Sequence, residues 1–284
     1  MPSVDTTQLP ESALLHNQNL FVPELPESVD TVFYATQGGP FNIRELASKV
    51  DLDKKLQQEI IKICSNYYYS GRNPITSVNQ AIRRLGPIGF QGVVMQSFLD
   101  MKIYHNPSWK KVTASLRRYA NAVAHACRVI AQQLSIQTDL AFLMGLLHRI
   151  GMSVALLRME SSKDNLIETT HKLKAIAQVH SFLSHFILKK WEMPSPLVDA
   201  MGYYGQVLIH GKPNHLGAIL IVAEELVSRI GFSSRNLFHN KDINTSSLSD
   251  GFENACLVLE LPKDQLSNLQ KETQEALRSS SKVF

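Results

Sequence analysis

Apolar residues recur along this chain with the period of a helix. Leu56, Ile60, Ile63 and Tyr67 fall on one stripe, the spacing of an amphipathic helix with one buried face. No run alternates with period two, and the β-branched residues are scattered, so strands are not expected. The pattern predicts a helix from PELPES to about Thr36 and a second over IRELASKVDL, capped by Asn42. A third runs over LQQEIIKICSNYYY, opened by Asp51 or Asp53 and closed by Gly71 and Pro74. SVNQAIRRLG and FQGVVMQSFLDMKIY follow as separate helices, split at Gly86-Pro87. Gly86, Gly89 and Gly92 are spaced by threes after a helix rather than a strand. That argues for close helix packing and against a phosphate-cradling loop.

A second block begins near Asn106-Pro107. Helices are predicted over 109–134, 138–158 and 164–191, then over PLVDAMGYYG from Pro196 and over 216–230. Residues 233–250 are polar and read as a mobile excursion, followed by two closing helices, GFENACLVLEL and KDQLSNLQKETQEAL. The expected organisation is all-α, a multi-helix fold of two lobes with a boundary near 105. Residues 1–22 form a polar arm, 23–105 the first lobe, 106–232 the second, and 233–284 the mobile segment with the closing helices.

Composition narrows the class. With 44% hydrophobic and 19% charged residues over 284 positions, the chain buries a real core and is not disordered. A net charge of +4 is too weak to imply nucleic acid. The pairs Arg83-Arg84, Lys110-Lys111, Arg117-Arg118 and Lys189-Lys190 are spread out and read as solvated helix faces. A nucleic-acid adaptor built on Lys110, Lys111, Arg117 and Arg118 is the weaker alternative, and it would bind with strong salt dependence. Cys64, Cys127 and Cys256 are isolated, as expected in a reducing compartment. The first residues lack a basic, then apolar, signal pattern. The most apolar window, Leu140 to Met159, carries His148 and Arg149 at its centre, which a bilayer would penalise by several kcal/mol. The expectation is a cytoplasmic, soluble protein with no membrane partner.

Helical geometry singles out three side chains. With Tyr119 at zero and about 100° per residue, Val123, Ala126 and Ile130 lie close to it, so Tyr119 points inward. His125 falls opposite, with Asn121, Arg128 and Gln132, and is expected in solvent. His180 shares its stripe with Leu173, Ile176, Leu183, Ile187 and Trp191 and points into the core, whereas His185 lies with Gln178 and Lys189 and points out. His148 shares its face with Met144 and Gly151. A lone inward histidine is ordinarily a hydrogen-bonded core residue, but two on core helices make a candidate site. There is no H-E-x-x-H or Cys/His cluster, so no local zinc motif.

Four blocks carry a family resemblance. LPESVDTVFYATQ and the run from IRELASKVDL to AIRRLG, with Asn66-Tyr67-Tyr68-Tyr69, resemble the N-terminal lobe of the HDOD family, a branch of the HD-domain phosphohydrolase superfamily. AQQLSIQTDLAFLMGLLHRIG is similar to its A-x-L-A-G-L-L-H-D-I-G core helix, and HSFLSHFILKKWEMPSPLVDAMGYYGQ to its H…W-x-(L/M)-P…I-x-x-H-H segment. The resemblance spans about residues 23–231. It implies a helical fold and, in catalytic relatives, one or two metal ions that activate water against a phosphate ester.

The same resemblance places the site's positions. The early histidine is Tyr119, the His-Asp pair is His148-Arg149, the third histidine is His180, the later His-His pair is Tyr203-Tyr204, and the late aspartate is Glu224. An arginine in place of the aspartate repels a divalent ion by about 6 kcal/mol at roughly 5 Å and an effective dielectric of about 20, some four decades of affinity. No catalytic residue and no cofactor or metal is therefore expected; an altered hydrolase would have to use His148, His180 and Glu224. Arg149 has three destinations open to it: a pair with Glu224, a bound anion, or the surface. The resemblance implies a non-catalytic bacterial signal-transduction module whose partner is a signalling protein or a small anionic ligand. The metal-dependent phosphohydrolase is the first alternative.

Overall fold

The computed structural model describes residues 22–36, 42–65, 73–157, 159, 166–232 and 246–280. Their order is α1 (Glu27–Thr36), α2 (Ile43–Leu52), α3 (Lys54–Cys64), α4 (Val78–Phe98), a π-helical turn (Leu99–Ile103), α5 (Lys110–Gln133), α6 (Thr138–Leu147), α7 (Ile150–Leu157), α8 (Leu166–Lys190), α9 (Ser195–Gly202), a small hairpin, α10 (His215–Arg229), α11 (Ser246–Val258) and α12 (Gln265–Ser280). The fold is all-α, as the periodicity predicts. The hairpin pairs Leu208–Ile209 with Lys212–Pro213 through His210 and Gly211. Both turn residues have positive φ, 49° and 76°, which suits a tight two-residue turn.

Local chemistry explains the boundaries. Asn42 caps α2 by accepting from the Arg44 and Glu45 amides, and Asp53 caps α3 by accepting from Leu56. Gly86 and Pro87 do separate two helical segments, as the sequence predicts: within α4 the backbone leaves helical geometry at Gly86 (φ 69°, ψ 174°) and the second segment opens at Pro87. Gly86 has open space around it, so it serves the kink and not packing. Gly89 and Gly92 do pack closely: a Cβ at Gly92 would stand 3.0 Å from the Phe142 ring. That contact lays α4 of the N-terminal half against α6 of the C-terminal half. Trp191 joins the halves again, donating to the Pro23 carbonyl at 2.8 Å and meeting Phe98 edge-on at 5.7 Å.

The structure departs from the sequence pattern at several places. The apolar run 138–158 is not one helix, because α6 ends at Leu147 and α7 begins at Ile150. The hydroxyl of Ser184 enters the break, accepting from the Gly151 amide at 3.0 Å and donating to the His148 carbonyl at 3.1 Å. The run is 78% buried within the protein. His125 and Asn121 are buried, not solvated. Helix α6 covers their face of α5, setting Phe142 edge-on to His125 at 5.5 Å. His185 is half-buried because α9 folds back over it, placing the Val198 carbonyl 2.9 Å from Nδ1. Finally, α11 begins at Ser246, inside the polar stretch expected to be mobile. The arm up to Phe21, Asn66–Tyr69 and residues 233–245 lie outside the described residues.

Candidate functional site

The break between α6 and α7 is the centre of the site. It turns two adjacent residues, His148 and Arg149, toward α5 and α10. The His148 ring is buried, with Nδ1 2.6 Å from the Gly145 carbonyl. A carbonyl only accepts, so Nδ1 carries the proton and Nε2 presents its lone pair. That lone pair accepts from Nε of Arg149 at 3.3 Å. Nε2 also lies 3.5 Å from Oε1 of Glu224. Gly145 also lets α6 press against α5, since any Cβ there would meet the Ala124 backbone at 2.5 Å.

Glu224, on α10, gathers the rest. Its Oε1 accepts from the Tyr119 hydroxyl at 3.0 Å and from Nη2 of Arg149 at 3.0 Å. Its Oε2 accepts from the Tyr204 hydroxyl at 2.9 Å. The Arg149 guanidinium also lies 5.2 Å from the Tyr119 ring centre and reaches Sδ of Met152 at 3.8 Å. Tyr119 comes from α5 and Tyr204 from the turn after α9, so three hydrogen-bond donors from separate segments converge on one carboxylate.

Electrostatics follow from this count. Burial pushes the Glu224 carboxyl up, but the Arg149 guanidinium beside it, which donates to it, holds it well below the usual carboxylate range. Burial disfavours the Arg149 charge, yet Tyr204, Glu224 and Tyr119 keep it above the ordinary arginine value. Burial and the Glu224 charge drive the Tyr204 hydroxyl well up, so it remains a donor. His180 stands edge-on to the Tyr204 ring at 5.0 Å. Burial, then the Arg149 charge, lower its pKa to about 3, so it is neutral. Its Nδ1 finds no hydrogen-bond partner among the described residues.

Of the positions named from the sequence, Tyr119, His148, Arg149, His180, Tyr204 and Glu224 come together. Tyr203 does not. It faces the surface, with its hydroxyl 2.9 Å from Nε2 of His210. Arg149 takes the first of its three destinations, the pair with Glu224. Sequence reasoning missed Ser184 and Gly145, which fill the break and seat the imidazole; the one available signal was a glycine three residues before the histidine on an otherwise bulky helix.

A divalent ion does not fit these residues. His148 Nε2 and Glu224 Oε1, the bases that would face it, already face one guanidinium, whose charge would repel the ion. Among the described residues no group of three or more His, Cys, Asp or Glu side chains is arranged to hold a metal. The basic pairs are likewise ordinary: Lys110, Lys111 and Arg118 are exposed, while Arg117 is engaged by Asp100 through two contacts of 2.6 and 2.7 Å.

The fold has clear counterparts among solved structures. A candidate phosphohydrolase from Shewanella amazonensis SB2B superposes with TM-score 0.65 at 14% identity, over 95% of each chain. An HDOD domain protein of unknown function from Geobacter sulfurreducens gives 0.58 at 17%, over 90% of this chain and 93% of that one. A candidate signal transduction protein from Marinobacter aquaeolei VT8 gives 0.57 at 19%, over 92% of this chain and 60% of that one. At such identities these likenesses establish the fold alone. No curated protein sequence matches. The family model of the HDOD domain matches residues 22–207, well over half of the chain and the region that carries His148, Arg149, His180 and Tyr204, and the chain therefore belongs to the HDOD domain family.

Proposed function

We propose that this HDOD chain is a non-catalytic regulatory module in bacterial signal transduction, acting in the cytoplasm by binding a partner. One observation carries the reading. The guanidinium of Arg149 stands between His148 Nε2 and Glu224 Oε1, at 3.3 and 3.0 Å, where a hydrolytic metal ion would need to be held. Without that ion, nothing in the cluster lowers the pKa of a water to a nucleophilic range. The tyrosine hydroxyls are donors to Glu224 and are not positioned as bases. The same pairing favours a protein partner over a small anion. Arg149 is already neutralised by Glu224, and an incoming anion would have to displace that carboxylate or share the space with it. The similar structures carry both labels, signal transduction and phosphohydrolase, so the choice rests on the residues of this chain.

Two measurements on the full chain test this. Elemental analysis of the purified protein, with hydrolysis of bis(p-nitrophenyl) phosphate in the presence of added Mn²⁺ or Mg²⁺, is expected to show sub-stoichiometric metal and background rates. About one metal per chain with turnover would make the altered phosphohydrolase the correct reading. Capture of partners on the tagged protein from its native cell is expected to yield a signalling protein. Binding that is strongly salt-dependent and nuclease-sensitive would favour the nucleic-acid adaptor instead.

A further inference from the structure

The site holds its own cation. We propose that Arg149 is a resident ion in this protein: its guanidinium, not a bound metal, neutralises Glu224, and the resulting clasp joins α5, the α6–α7 break, the turn after α9 and α10 with no exogenous ion. The inference deepens the non-catalytic reading and rests on it, since both require that no metal occupies this place.

The geometry is that of two facing bases bridged by one cation. His148 Nε2 and Glu224 Oε1 stand 3.5 Å apart, too close to a shared lone-pair direction to be left facing each other unbridged. The His148 ring cannot turn away, because its Nδ1–H is fixed on Gly145 at 2.6 Å. Arg149 answers both bases with different edges, Nε to the imidazole and Nη2 to the carboxylate. Two edges of one planar ion are what a guanidinium offers and an ammonium does not. Two further Glu224 lone pairs are taken by Tyr119 and Tyr204. The side chains of Arg149 and Glu224 are only 13% and 15% exposed, so water screens the pair weakly and a missing partner leaves a buried charge. The clasp reaches 75 residues from Arg149 to Glu224 and 105 from Tyr119 to Glu224. It therefore stitches together elements that local helix formation cannot bring into contact.

A thermal-unfolding cycle on the full chain tests the proposal: wild type, Arg149→Met, Glu224→Gln and the double variant, with Arg149→Lys as the charge-keeping control. Either neutralising single change is expected to lower Tm by about 10 °C, the loss of one member of a buried pair in a chain of this size. The double variant should lie clearly above the sum of the two losses, because it leaves no charge behind. Arg149→Lys should fall between wild type and Arg149→Met. The wild-type Tm should not move with EDTA or with millimolar MnCl₂ or ZnCl₂. Additive losses, or an Arg149→Met protein as stable as wild type, would overturn the clasp and leave the non-catalytic reading standing. A wild-type Tm that drops with EDTA or climbs with Mn²⁺ would overturn both. If Arg149→Met does not fold, Arg149→Lys, Glu224→Gln and the wild-type metal titration still decide: a Lys variant with unchanged Tm and a Gln variant with no loss would sink the resident-ion role.

Discussion

Two buried acid–arginine pairs hold this molecule together, and they titrate in opposite directions. Asp100 in the π-helical turn meets Arg117 of α5 at 2.6 and 2.7 Å, an ideal two-point contact. Even so, burial raises the Asp100 carboxyl, and the Arg117 hydrogen bonds and charge do not fully cancel it. Glu224 makes one contact with its arginine, at 3.0 Å, yet it is held well below the usual range. The difference lies in the company. Asp100 relies on one guanidinium, while Glu224 has a guanidinium and two phenols donating to it. A buried carboxylate is kept ionised by the number of groups that favour its charge, not by the quality of a single pair. The first pair is a joint between two helices. The second is a small polar core of its own.

The sharpest way to break that comparison is to remove each acid. Glu224→Ala is expected to cost about 3–5 kcal/mol, because it strands the Arg149 charge and two tyrosine hydroxyls at once. Asp100→Ala should cost less, about 2–3 kcal/mol, since the Arg117 side chain is 24% exposed and can turn toward water. Urea unfolding midpoints measure both. Equal losses would mean that the extra donors around Glu224 contribute nothing.

The next test is steric and concerns how tightly the break is held. A Cβ at Gly151 would lie 2.6 Å from the His180 carbonyl and 2.7 Å from the Ser184 amide, all backbone that cannot swing aside. Gly151→Ala should cost about 3 kcal/mol by forcing α7 and α8 apart. It should also disturb the clasp, which the pH dependence of unfolding below the ordinary carboxylate range reports.

Much of this architecture was legible before any coordinates, and the failures have a common cause. Tyr119 and His180 point inward as their stripes require, Asn42 caps as expected, and of the two aspartates offered for the next helix it is Asp53 that caps. His125, Asn121 and His185 were placed in water because a helical wheel identifies the most apolar face, not every covered one. Helix α5 is packed by α6, α10 and α12, and it hides a polar stripe that no wheel would bury. The break at His148-Arg149 has no glycine or proline to announce it. The Ser184 hydroxyl that fills it lies 33 positions away from the Gly151 amide it receives. Tyr203 and Tyr204 are neighbours in sequence with opposite fates, and only the turn after α9 separates them.

Buried histidines give the pH arm of the comparison. Burial, then the Arg128 charge, lower His125 to about 3, and burial, then the Arg149 charge, lower His180 to about 3. Unfolded histidines take up protons near pH 6.5. The unfolded chain therefore binds more protons than the folded one between about 6.5 and 3, and stability falls as pH falls through that window. At pH 5 the loss is about 2 kcal/mol per histidine. Glu224, with its pKa depressed, adds a further loss below the ordinary carboxylate value, while Asp100, with its pKa raised, acts in the opposite sense and softens the fall. His125→Gln should flatten the slope between pH 6.5 and 5 by about half. An unchanged slope would show that His125 is protonated in the folded state.

The smallest effect expected is at Ser184, and it separates two explanations of the break. Its hydroxyl accepts from the Gly151 amide and donates to the His148 carbonyl. Ser184→Ala leaves both buried backbone groups without that partner, a cost of about 1–2 kcal/mol if the break persists. If the break exists only because Ser184 enters it, the alanine variant has a way out. The chain closes into one continuous helix from α6 to α7, the two groups find ordinary helical partners, and the loss shrinks toward zero. Closure would rotate His148 and Arg149 around the helix axis and away from Glu224. Stability alone would then mislead, so the variant must be read by two probes. Unfolding gives the cost. The pH dependence below the ordinary carboxylate range reports whether Glu224 still has its cation. A loss of about 1–2 kcal/mol with the acid limb intact shows that the clasp holds the break open by itself. A negligible loss with a changed acid limb shows that one serine hydroxyl decides which way the histidine and the arginine face.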